Sequence, residues 1–97
     1  MMVTALSEQQ IAEALEDLPG WHFESDKITK TYQFGSFKEA LSFIVRLSFE
    51  AEALNHHPEI FNVYNRVKIS LNTHDASGKV TKKDSQLAKR IEEFCWV

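Results

Sequence analysis

Three stretches of this chain repeat apolar residues at steps of three and four, the mark of one face of a helix. Ile11, Ala14, Leu15 and Leu18 form the first, behind Ser7 and Gln10 in capping-box spacing, and Pro19-Gly20 is the expected stop. Phe37, Leu41, Ile44, Val45, Ser48, Ala51 and Leu54 form the second, opened by Ser36 and Glu39. It should end near Asn55, because Pro58 disfavours helical backbone just before it. Leu87, Ala88, Ile91, Phe94 and Cys95 form the third, opened by Thr81 and Asp84.

Between these helices the period falls to two. Trp21 to Glu24 alternates, and Ser25-Asp26 offers a turn. Ile28, Lys30, Tyr32 and Phe34 then share one side of a strand, with Thr29, Thr31 and Gln33 on the other. Ile60 to Tyr64 is β-prone, and Val67, Ile69 and Leu71 alternate with Lys68, Ser70 and Asn72. Asn65-Arg66 is read as a two-residue hairpin turn, against one continuous strand from Val63 to Thr73. The expected fold class is α+β, in the order α-β-β-α-β-β-α: a two-layer, four-stranded antiparallel sheet with three helices on one face. The other face is left open, a common place to oligomerise.

With 97 residues the chain is read as a single domain spanning 1–97. Its 43% hydrophobic and 26% charged residues are those of an ordinary globular protein. The net charge of −3 argues against direct nucleic-acid binding. The lysines of the run 79–83 read as a solvated loop leading into a helix. Cys95 is the only cysteine, so no intrachain disulfide staples the fold. MMVTALSEQQ shows no signal-peptide pattern and no run is long enough to span a membrane, so a cytoplasmic chain, without or with a nuclear pool, is expected.

Three of the four histidines fall in EALNHHPEIFNVYNRVKISLNTHD. His56 and His57 follow the second helix, and His74 ends the fourth strand on its non-core side. Glu52 is four residues before His56, so on a helix running that far the two would pair. Three histidines could make a catalytic zinc site, but adjacent histidines point apart and HExxH, a cysteine pair and His-x-His are all missing. Proton transfer is favoured over metal binding, because imidazoles can hold one acid and one base at neutral pH. The plain alternative is that they are surface turn and cap residues.

Glu52, then His56-His57-Pro58, Tyr64, His74 and Asp84, at this spacing, resembles the signature of the pterin-4a-carbinolamine dehydratases. The Pro-Gly-Trp turn and ITKTYQF are similar to the family as well, over nearly the whole chain. The resemblance implies dehydration of 4a-hydroxytetrahydrobiopterin to the quinonoid dihydropterin, within tetrahydrobiopterin recycling. It implies no metal and no organic cofactor. By carry-over His56 and His74 are general acid and base and His57 orients the pterin. Pro58 and Thr73, His74, Asp75 and Ala76 line the pterin site, and Glu52 is the carboxylate behind the first histidine. Asp84 closes the motif near the site, though it is also a capping residue of the third helix. Tyr64 reads as a packing or hairpin residue. Ile60 departs from the tryptophan of many relatives, and the 75–79 loop lacks a cysteine frequent in animal members. The family forms homodimers and homotetramers through helices, and Phe94, Cys95 and Trp96 could join such a contact. Animal members also serve a transcription factor as non-catalytic dimerisation cofactors, the alternative function. A catalytically silent pterin-binding module is a third reading.

Overall fold

The computed structural model describes residues 4–97. Met1, Met2 and Val3, which begin the stretch read as lacking a signal peptide, lie outside the described residues. The order is α1 (Glu8–Leu15), β1 (His22–Glu24), β2 (Lys27–Gln33), α2 (Phe37–Ala53), β3 (Glu59–Val63), β4 (Arg66–Leu71), a 3-10 turn (His74–Ala76) and α3 (Lys82–Phe94). The four strands form one antiparallel sheet ordered β1-β2-β4-β3. The expected α+β fold is therefore the observed one. No described helix is long and apolar enough to cross a membrane.

Both hairpins turn on two residues. Ser25 and Asp26 have φ of 51° and 61°, as a type I′ turn requires. The second turn is Tyr64-Asn65, one residue earlier than expected, since Val63 pairs with Arg66. Asn65 is held at the end of β2, its Nδ2 donating to the Phe34 carbonyl at 2.8 Å. Asn62 Nδ2 braces the turn by donating to the Tyr64 and Arg66 carbonyls. Tyr64, exposed with φ of 51°, is thus a hairpin residue.

The core joins Ile28, Tyr32, Val67, Ile69 and Leu71 of the sheet, with Phe34 just past β2, to the helices. Leu87, Ala88 and Ile91 of α3 bury as the periodicity predicts. Two helix readings need correction. The first helix ends at Leu15, not at Pro19-Gly20, and Leu18 reaches the core from a turn. The second buries Ala40, Phe43, Leu47 and Ala51. Phe37, Leu41 and Val45 of the expected stripe are exposed, as is Phe49. The helix carries apolar residues on two faces, and periodicity does not say which of them meets the sheet. Trp96 packs on its own chain, its ring 5.2 Å from that of Phe34 and its Nε1 donating to Glu39.

Candidate active site

The end of α2 decides where the histidines go. The chain leaves the helix through Leu54 into Asn55, which has φ of 50°. The Asn55 N–H bonds the Glu52 carbonyl at 3.1 Å and the His56 N–H reaches back to the Ala51 carbonyl at 3.0 Å. This pairing is a Schellman motif, and asparagine tolerates its left-handed position. The motif folds His56 inward over the last turn and leaves His57 outside. His56 is buried, and His57 is exposed.

Inside, His56 Nε2 lies 2.5 Å from Asp84 Oδ1. Asp84 is fully buried at N3 of α3. Its other oxygen, Oδ2, accepts from the Thr81 N–H and from the Thr73 hydroxyl, both at 2.8 Å. Asp84 therefore has both the roles read from sequence, since one oxygen caps the helix and the other holds an imidazole. A buried carboxylate needs such a full set of donors, because an unpaired one would be strongly destabilising. Outside, His57 Nε2 lies 3.4 Å from Glu52 Oε2, with both side chains exposed. Glu52 thus faces His57, not His56 as its spacing suggested. The i,i+4 relation presumes a continuing helix, and the helix stops at Ala53.

His74 arrives from the sheet. Beyond β4, Thr73 bridges to Lys79, and its carbonyl accepts from the N–H groups of Ala76 and Gly78. This tight loop holds His74 exposed at its start, off the core side of the strand.

The three imidazoles line one cleft of about 260 Å³, with Asn55, Asn72, Thr73, Asp75 and Lys83. Of the expected pterin-lining residues, His56, His57, Thr73, His74 and Asp75 are there, while Pro58 and Ala76 are not among the lining residues. Thr73 is 3% exposed and turns its hydroxyl to Asp84, so it holds the site together more than it touches the cleft. Asn55, Asn72 and Lys83 were missed. Lys83 lies in the lysine run read as a solvated loop; its place in the first turn of α3, one residue before Asp84, was the available signal. Among the described residues, no group of three or more histidine, cysteine and acidic side chains is arranged to hold a metal ion.

A larger hollow of about 720 Å³ lies on the open sheet face, and Ile60 lines it. Its charges are paired with one another, Lys27 with Glu59 and Lys68 with Glu24. None of the histidines lines it; three of the four line the smaller cleft. A further polar cluster sits at the other end of α3. There Glu92 Oε2 accepts from Lys30 at 2.8 Å, Tyr32 at 2.5 Å and Trp21 at 3.4 Å. Burial pushes the Glu92 carboxyl up, but the Lys30 and Tyr32 donors outweigh it and hold the group below the usual carboxylate range. Burial, then the bond to Glu92, pushes the Tyr32 hydroxyl far above the usual tyrosine range.

Known proteins resemble the chain from end to end. The family model described as pterin 4 alpha carbinolamine dehydratase matches residues 4–94. A chain of Opitutus terrae that bears the pterin-4-alpha-carbinolamine dehydratase name is 58% identical over 96 residues, covering 99% of each chain. A Brucella melitensis structure, described as a transcriptional coactivator/pterin dehydratase, superposes with a TM-score of 0.87 at 37% identity, covering 93% of this chain and 97% of that one. A pterin dehydratase-like protein described as a RuBisCO assembly factor of the alpha-carboxysome shares the fold alone, with a TM-score of 0.61 at 20% identity, over 75% of this chain and 83% of that one. Matched by the family model over residues 4–94 and by a relative over nearly its full length, the chain belongs to the pterin-4-alpha-carbinolamine dehydratase family.

Proposed function

We propose that this chain, as a single domain over 1–97, dehydrates 4a-hydroxytetrahydrobiopterin to the quinonoid dihydropterin by histidine acid–base catalysis, in tetrahydrobiopterin recycling. The observation that carries the proposal is the convergence of three imidazoles on one cleft, one of them anchored on a buried carboxylate. In the reaction a ring nitrogen loses its proton and its electron pair forms the C=N bond. The 4a C–O bond breaks, and the hydroxyl takes a proton and leaves as water. His56 and His74 exchange these two protons, and His57, exposed and paired with Glu52, orients the pterin. Such a pair contributes roughly 10²–10⁴-fold.

The test is stopped-flow absorbance on the carbinolamine generated in situ, with a chelator present. Accelerated loss, unaffected by chelator, supports the proposal, and the variant combining His56→Ala with His74→Ala should lose nearly all of it. Activity within twofold of wild type in that double variant would sink the assignment.

We also read the chain as a homodimer or homotetramer. The support is the exposed apolar face of α2, where Val45 is 58% and Phe49 69% exposed, together with Phe61 and Val63 of the edge strand β3. Light scattering on Val45→Glu/Phe49→Glu against wild type tests it: a smaller species in the variant supports the reading, and a wild-type monomer refutes it. The Brucella structure's description as a coactivator favours a second reading, in which the chain is a dimerisation cofactor of a transcription factor. His74→Ala separates the two, because it should remove dehydration and leave a helix-mediated contact intact.

A further inference from the structure

We infer that Thr73 and Thr81 are positioning residues of the histidine site. Their hydroxyls form a one-way chain of donors that ends on Asp84 and commits His56 to carrying its proton on Nε2. The inference rests on the acid–base reading above.

The direction follows from counting protons. An ionised carboxylate only accepts. The Thr73 hydroxyl, 2.8 Å from Asp84 Oδ2, therefore spends its one proton there. The Thr73 and Thr81 hydroxyls lie 2.7 Å apart, so Thr81 must supply the proton between them. Thr81 Oγ1 in turn accepts from the Lys83 N–H at 3.2 Å. The Thr81 N–H adds a second donor to Oδ2. Every proton points towards Asp84, which is left to accept on Oδ1 from His56 Nε2. A proton on His56 Nδ1 instead would put a bare nitrogen against the carboxylate.

The working atom of His56 is then Nδ1. It has no protein partner among the described residues, and no buried side-chain nitrogen or oxygen among them lacks one. Nδ1 is therefore not sealed in the core, and the cleft that His56 lines is the space we assign to it. Helix capping accounts for Thr81 alone. Thr73 lies outside α3, is nearly fully buried, and aims its hydroxyl at the same oxygen, which a cap does not require.

The test replaces Thr73 by the near-isosteric Thr73→Val. We expect kcat/KM to fall about tenfold, mostly in kcat, the usual scale for removing an orienting partner. Thr73→Ser should recover most of the loss. Long-range 1H–15N spectra of histidine-labelled protein read the proton directly. Wild type should show it on Nε2 of His56, and Thr73→Val should shift the His56 nitrogen signals, because Asp84 loses one donor on Oδ2 and pulls harder on the Nε2 proton. A purely structural role would lower Tm, leave kcat and the His56 signals unchanged, and overturn the inference. If Thr73→Val does not fold, Thr73→Ala takes its place, and a wild-type proton on Nδ1 overturns the inference by itself. If wild type does not accelerate dehydration, the acid–base reading fails, while the tautomer measurement still decides the donor chain.

Discussion

His56 and His57 are adjacent in the chain, yet their surroundings are opposite. The His56–Asp84 pair is 2.5 Å long, with side chains 8% and 0% exposed. The His57–Glu52 pair is 3.4 Å long, with side chains 64% and 75% exposed. Both are a carboxylate beside an imidazole. Buried charges keep most of their Coulomb attraction, and each must be matched in full. Exposed ones are screened and give roughly 0–1 kcal/mol. The lesson is that a sequence-adjacent carboxylate is a weak guide to which histidine is held, because burial sets the strength of the hold. A single left-handed residue, Asn55, separates the two cases.

The sharpest way to break this contrast is Asp84→Asn. If the amide oxygen keeps the Thr73 and Thr81 donors, its NH2 group faces His56 Nε2 and forces the ring proton to Nδ1. We expect kcat/KM to fall at least about 10²-fold, as when a carboxylate that orients a catalytic histidine is neutralised. Stability should fall by about 1–3 kcal/mol, because hydrogen bonds to charged groups are among the stronger ones. Stopped-flow rates and urea unfolding measure the two, and a rate within threefold of wild type would dissolve the distinction.

Glu92 supplies a control on the same helix, since it collects donors as Asp84 does but lies away from the histidines. Glu92→Gln should cost about 1–2 kcal/mol of stability at neutral pH without slowing the folded protein's chemistry. The pH dependence has a definite sign. The carboxyl is held below its usual range in the folded chain. Its stabilisation is therefore present above the ordinary glutamate range and lost as pH falls through the folded value. Tyr32 is shifted upward, so its share is present below about pH 10 and lost as pH rises above it. Unfolding midpoints of wild type and Tyr32→Phe across this alkaline range should converge; equal slopes would contradict the assignment.

The smallest effect belongs to Glu52→Gln. We expect under about 0.5 kcal/mol in stability and at most a few-fold change in KM. A loss comparable to that of Asp84→Asn would mean that the exposed pair matters as much as the buried one.

Much of this architecture was legible because local rules decide it. Ser7, Ser36 and Thr81 cap their helices, and the alternation around Val67, Ile69 and Leu71 set the central strand. The failures have physical causes. Phe37, Leu41 and Val45 are as apolar as Phe43 and Leu47, and only the docked sheet distinguishes their faces. The expected Glu52–His56 pair assumed a helix that Asn55 ends. Asp84 and His56 are 28 residues apart, so no local spacing joins them; only the family motif brought Asp84 near the site. The threonine hydroxyls left no pattern at all, because a serine or threonine before a helix is an ordinary cap.

One carboxylate, Asp84, fastens the first turn of α3 and the imidazole at the end of α2. The site and the helix start therefore open together, as one cooperative unit. A ligand that binds only the closed arrangement slows hydrogen exchange at the Lys83 and Asp84 amides, whether or not it touches them. Occupancy of the cleft can then be followed from the backbone of a helix, even with a compound that is bound but never turned over.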